Sequence, residues 1–110
     1  WGKMPRFDQI FLGMGVDGHT ASLFPQGREL QDKKSILLET RSPFAPLKRV
    51  TLGLQSLWNS VDLVLIVTGK NKANMVKRLF DKDESLPITL ALQGHKNPLV
   101  LLDLEASQAL

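Results

Sequence analysis

The sequence predicts an α/β fold, a layered, Rossmann-like arrangement with a mainly parallel sheet. Three observations predict it. Asp62 to Gly69 (DLVLIVTG) contains five consecutive aliphatic residues and is closed by Thr68 and Gly69. Lys70 to Asp81 follows at once, with Ala73, Met75, Val76, Leu79 and Phe80 near the i, i+3, i+4, i+7 spacing of an amphipathic helix. Phe7 to Leu12 repeats the theme, an apolar run that ends in a glycine-rich turn. Strand, glycine, helix is the repeating unit of a parallel α/β sheet.

Taken in order, Ile10, Phe11 and Leu12 form a short continuous apolar run, which suits a strand buried on both faces. Gly13, Gly15 and Gly18 then crowd six residues, a density that permits positive φ and close backbone approach to a ligand. His19 to Phe24 has helical character, and Pro25 and Gly27 end it. Arg28 to Lys34 reads as a surface loop or short helical turn, and Ser35 to Thr40 as a strand. Ser42 to Pro46 holds two prolines and favours extended backbone.

Arg49 to Leu54 alternates with period two and reads as a strand. Gln55 to Ser60 suits a helix of one or two turns. Leu86 to Gln93 fits either a helix, with Pro87 in its first turn, or a strand. Gly94 to Pro98 is a turn by composition, and Leu99 to Leu102 a short buried strand. Asp103 fits an N-cap, with Leu104 to Leu110 as a closing helix.

Composition narrows the function. The 110 residues make one small domain, with hydrophobic content of 43% and a formal net charge of +3. The Lys and Arg are scattered, no basic run is interleaved with aromatics, and Tyr is absent, so no nucleic-acid footprint is present. Without cysteine there is no disulfide framework, zinc–thiolate site or thiol nucleophile, which fits a cytoplasmic setting. No apolar run approaches the ~18 residues of a bilayer span, so no membrane partner is expected. The N-terminus, WGKMPRFDQ, lacks the apolar region of a signal peptide and an initiator Met. We read residues 1–110 as a single fragment of a larger domain.

Two constellations carry chemistry. Asp17-Gly18-His19 follows the first strand, at the end where open α/β sheets bind ligands. Histidine accepts a proton at neutral pH, and a neighbouring carboxylate orients the ring and stabilises its cation. A purely structural role is equally compatible, with Asp17 as a cap and His19 as a helix residue. Gly13 to Gly18 also fits G-x-G-x-x-G by letter, with Glu39 at the distance of a ribose-binding acid, but that motif gives Asp17 and His19 no task. The second constellation is basic: Arg49 opens a strand, and Lys70 and Lys72 open a helix. Lysine there runs against the helix dipole unless an anion is bound, although a solvated lysine is the simpler reading. Ser22 lacks the G-x-S-x-G context of a nucleophile, His95 reads as a surface-loop residue, and no metal-ligand spacing occurs.

The stretch Leu12 to Pro25, LGMGVDGHTASLFP, resembles the 6-phosphogluconolactonase signature LGMGPDGHTASLFPG. Arg49-Val50-Thr51-Leu52 resembles that family's R-[VI]-T-L segment. Val67-Thr68-Gly69 with Lys72 resembles its V-T-G-x-x-K, and Leu101-Leu102-Asp103 with Ala106 its L-D-x-x-A. The related glucosamine-6-phosphate deaminases share D-G-H but continue H-I-A-F-N-E-P, which this chain does not. Val16 stands where proline is usual and Gln26 where glycine is usual. The resemblance spans nearly the whole chain but only the C-terminal half of a family member.

The resemblance implies a cytoplasmic sugar-phosphate lactone hydrolase of the pentose phosphate pathway that uses no metal and no organic cofactor. By the same resemblance His19 is the general base and Asp17 orients it. Arg49 and Lys72 bind the substrate phosphate, and Gly15 and Gly18 are substrate-binding, with loop backbone N–H groups that position the substrate. The family's upstream S-G-G and D-E-R segments do not occur here, so the expected partner is the N-terminal half of the same protein. The chain alone is expected to have weak or no lactonase activity. The alternatives are a non-catalytic sugar-phosphate-binding domain or an amino-sugar-phosphate deaminase relative.

Overall fold

A computed structural model describes residues 4–110. In chain order its elements are β1 (Gln9–Leu12), β2 (Leu37–Arg41), β3 (Lys48–Leu52), α1 (Leu54–Trp58), β4 (Asp62–Val67), α2 (Ala73–Phe80), α3 (Pro87–Gln93) and β5 (Leu99–Leu102). Single 3-10 turns at Arg28–Gln31 and Lys70–Lys72 complete them. The strands β1, β4 and β5 form a parallel sheet in the order β1-β4-β5, with Phe11 beside Val64 and Val64 beside Leu99. The fold is the mixed α/β arrangement with a mainly parallel sheet that the sequence predicts.

Successive side chains of a strand point to opposite faces, and the two faces of this sheet differ. Ile10, Leu12, Leu63, Leu65 and Val67 are buried in one core with Leu54 and Leu57 of α1, Val76 and Leu79 of α2, and Ile88, Ala91 and Leu92 of α3. On the other face Phe11 is 61% exposed, Leu99 52% and Ile66 44%. The expectation that β1 is buried on both faces is therefore corrected: the helices pack on one face only.

Strands β2 and β3 pair antiparallel and form a separate two-stranded sheet, with Leu37 opposite Leu52 and Arg41 opposite Lys48. Their connection, which includes a cis Ala45–Pro46 bond, closes through the Ser42 N–H to the Leu47 carbonyl at 2.8 Å. Thr40 and Thr51, buried on this hairpin, reach the segment after β1. Thr40 Oγ1 donates to the Ser22 carbonyl at 2.7 Å, and Thr51 Oγ1 accepts the Ser22 N–H at 3.0 Å. The hairpin thus braces the site from outside the parallel sheet.

Other readings change. His19 to Phe24 is not helical: Ala21 adopts φ 50°, and Thr20 and Leu23 exchange backbone hydrogen bonds across a tight reversal. The hairpin threonines satisfy Ser22 in place of helical partners. Leu104 to Leu110 is a series of hydrogen-bonded turns, although the Asp103 carboxylate does accept the Ala106 N–H at 2.8 Å as a cap would. That carboxylate also accepts the Gly69 N–H at 3.2 Å, and so ties the end of β4 to the end of β5. The ambiguous segment Leu86 to Gln93 is helix α3, with Pro87 in its first turn, where a missing N–H costs nothing. His95 is buried, not on the surface: its Nε2 lies 2.9 Å from the Ser60 carbonyl and its Nδ1 accepts the Asn97 N–H.

Candidate active site

The segment after β1 folds into a closed loop because its glycines let the backbone bond to itself. The Gly15 N–H donates to the His19 carbonyl at 2.9 Å, and the Gly18 N–H to the Gly15 carbonyl at 3.0 Å. Gly18 takes φ +86°, a conformation that side chains rarely adopt, and a Cβ there would meet Leu86 Cδ2 at 2.8 Å. The Gly18 carbonyl accepts the Ile88 N–H at 3.1 Å, which seats the loop on the first turn of α3.

Within this loop Asp17 and His19 form a hydrogen-bonded pair. One carboxylate oxygen, Oδ1, accepts the His19 backbone N–H at 3.0 Å and lies 2.5 Å from the His19 ring Nδ1. Both side chains are 28% exposed. Partial burial pushes the Asp17 carboxyl up, but the His19 backbone N–H and imidazole outweigh it and hold Asp17 below the ordinary carboxylate value. An ionised carboxylate only accepts, so Nδ1 carries a proton, and in the neutral ring Nε2 is the nitrogen that keeps a lone pair. The pair therefore has the arrangement of an oriented base.

Gly15 is glycine for a steric reason. A Cβ there would fall 2.2 Å from His19 Cε1 and Nδ1 and 2.9 Å from Asp17 Oδ1. The imidazole lies directly against the Gly15 backbone, which serves as its platform.

His19 opens on a cavity of about 430 Å³ lined by Gly13, Met14, Gly15, Thr20, Ala21 and Lys72. Lys72 arrives from the turn after β4, so the C-terminal ends of two adjacent parallel strands meet at this cavity, the usual ligand position in open α/β sheets. Its Nζ donates to the Met14 carbonyl at 2.5 Å. This contact accounts for a lysine at a helix start, where the dipole disfavours it. The glycines do not lead into a helix N-terminus, as a dinucleotide-binding turn would require.

Arg49 does not line this cavity. Its guanidinium lies over the Phe24 ring, 5.9 Å from the centroid, and its Nε donates to the Pro46 carbonyl at 2.8 Å. The same Phe24 ring, buried, sits 5.0 Å from the His19 ring centroid. Phe24 therefore neighbours both His19 and Arg49. Sequence reasoning missed Phe24, and also Thr20, whose buried Oγ1 donates to the Gly13 carbonyl at 2.8 Å. The only signal for either was its place beside His19 in the motif. Ser22 is held through its backbone by the two hairpin threonines.

The chain was compared with known proteins. A family model described as glucosamine-6-phosphate isomerases/6-phosphogluconolactonase matches residues 1–100. Human 6-phosphogluconolactonase is 39% identical over 99 residues, which cover 88% of this chain and 38% of that protein. The Bos taurus 6-phosphogluconolactonase is 40% identical over 91 residues, 82% of this chain and 35% of that protein. The solved structure of 6-phosphogluconolactonase from Trypanosoma brucei superposes with a TM-score of 0.84 at 30% identity, over 96% of this chain and 43% of that one. The chain spans about two fifths or less of the length of the curated relatives it matches. Among the described residues, no helix is long and apolar enough to cross a membrane.

Proposed function

Because the chain belongs to the glucosamine-6-phosphate isomerase/6-phosphogluconolactonase family, we propose that it contributes the His19 wall of a site that hydrolyses 6-phospho-D-glucono-1,5-lactone to 6-phosphogluconate. The observation that carries this reading is the Asp17–His19 pair, whose His19 lines a cavity shared with Lys72.

The reaction is an acyl transfer to water. His19 Nε2 takes a proton from the attacking water while its oxygen bonds to the lactone carbonyl carbon, and the carbonyl oxygen becomes an oxyanion. Asp17 holds the imidazole in the required tautomer and stabilises the imidazolium that forms. When the tetrahedral adduct collapses, the ring C–O bond breaks and the leaving oxygen takes the proton back from Nε2. The product acid then ionises. Lys72 and Arg49 supply positive charge for the 6-phosphate; the Gly15 and Gly18 N–H groups are already bonded within the loop, so these glycines shape it against the substrate and do not donate to it.

The test is acid release from 6-phosphogluconolactone by the wild-type chain and by His19→Ala. The expected result is slow turnover that His19→Ala abolishes. Turnover that does not depend on His19 would overturn the mechanism. The family model also covers sugar-phosphate isomerases, so ammonia release from glucosamine 6-phosphate is measured alongside. Phosphate binding without either reaction would identify a sugar-phosphate-binding domain.

A further inference from the structure

Three consecutive carbonyls of the loop each have a dedicated donor. Gly13 O accepts Thr20 Oγ1 at 2.8 Å, Met14 O accepts Lys72 Nζ at 2.5 Å, and Gly15 O accepts the Gly18 N–H at 3.0 Å. Two of these donors belong to the loop and its immediate continuation. Lys72 belongs to the far side of the adjacent strand and is 58 residues away in sequence.

The Met14–Gly15 peptide is consequently held at both ends. Lys72 holds its carbonyl, and its N–H donates to the His19 carbonyl at 2.9 Å. A planar peptide gripped on both sides cannot rotate without losing both bonds. Gly15, which follows it, is the surface on which the His19 ring rests. The order of contacts is therefore Lys72 ammonium, Met14 carbonyl, Gly15, imidazole.

We propose that Lys72 is a positioning residue for His19, acting through the Met14–Gly15 peptide, as well as a source of charge for the substrate phosphate. An ammonium has three N–H donors, and the Met14 carbonyl occupies one. The remaining two serve an anion without release of the loop. An anion on Lys72 and the orientation of His19 thus share one side chain, so the cation that meets the phosphate also holds the base in place. A hydrogen bond from a charged donor to a part-buried carbonyl is stronger than a neutral one and suits this task.

The assignment of His19 as a base rests on the reading in the preceding section, but the clamp is tested on the loop itself. Amide hydrogen exchange is followed by NMR in the 110-residue chain for the wild type, Lys72→Ala and Lys72→Met. Both variants are expected to accelerate exchange at the Gly15 and Gly18 amides about tenfold or more, with the Leu65 amide of β4 unchanged. Unchanged exchange at Gly15 and Gly18 would overturn the proposal. Should Lys72→Ala lower the stability of the whole sheet, Lys72→Met, which keeps the apolar stem, decides. Equal acceleration at Leu65 in Lys72→Met would also overturn it.

The same variants are assayed for lactone hydrolysis. Positioning predicts a fall in kcat, whereas phosphate binding alone predicts a rise in KM with kcat unchanged. A chain with no His19-dependent turnover would defeat the assigned reaction and leave the exchange result standing, so the two failures are distinguishable.

Discussion

Asp17 Oδ1 receives two hydrogen bonds from one residue, His19, through the backbone N–H at 3.0 Å and the ring Nδ1 at 2.5 Å. One oxygen thus sets the turn and the tautomer together. Asparagine in its place keeps an acceptor for the backbone N–H but loses the charge that stabilises an imidazolium. In the full-length protein Asp17→Asn is expected to lower kcat by about 10²–10⁴-fold with little change in KM. Steady-state kinetics on the lactone checks this, and an unchanged kcat would leave Asp17 as a former of the turn only.

Gly15→Ala should act on the site and not on the fold. The added methyl would lie 2.2 Å from two His19 ring atoms, so the imidazole must leave its position. The expected result is loss of lactonase turnover of about 10²-fold, the scale of a displaced base, with a small change in thermal midpoint. A calorimetric scan beside the activity assay separates the two effects. Full activity in the variant would show that the ring has room to spare.

Arg49→Ala is expected to raise KM roughly 10–100-fold at nearly constant kcat, as for loss of one charged contact to a phosphate. Its effect should weaken in high salt, since the residue is half-exposed. A fall in kcat alone would instead assign Arg49 to the ordering of Phe24 and His19.

Phe24→Ala should cost stability first, on the order of 3–5 kcal/mol, because the ring is 4% exposed and packs near both His19 and Arg49. Denaturant unfolding monitored by Trp fluorescence measures it. A loss below about 1 kcal/mol would mean that the site collapses onto the gap without penalty.

Acid stability should depend on Asp83, in the turn that leads into α3. The Ser85 hydroxyl, the Arg78 guanidinium and the Ser85 N–H hold its carboxyl down to about 2 from 3.8. A group depressed in the folded state stabilises above its unfolded pKa and loses that contribution as pH falls through its folded one. The chain should therefore lose stability between pH 3.8 and about 2, and Asp83→Asn should flatten that limb. Urea midpoints at three pH values across this window are the measurement, and an unaltered slope in the variant would assign the acid limb to other carboxylates.

Much of this was legible in the sequence, for physical reasons that vary by residue. β4 and α2 announce themselves through an unbroken aliphatic run and a 3.6-residue stripe, both local patterns. The Asp17–His19 pair was legible because its partners are two residues apart. The segment His19 to Phe24 misled because its local preference is helical, while Thr40 and Thr51 on a remote hairpin satisfy Ser22 in another geometry. The partner of Lys72 could not be read either, since 58 residues separate it from Met14. Arg49 and Lys72 read alike as cations, yet one lines the His19 cavity and the other stacks on Phe24.

The bare face of the parallel sheet has a calorimetric consequence. Unfolding raises the heat capacity in proportion to the apolar surface newly wetted, ordinarily about 12–15 cal/mol/K per residue. Phe11, Ile66, Leu99 and Leu101 already meet water in the isolated 110-residue chain, although Val64 between them is buried. Unfolding exposes less there than in a sheet covered on both sides. The heat-capacity increment of the isolated 110-residue chain should therefore fall below the norm for its length, and its free-energy curve should be flatter with temperature.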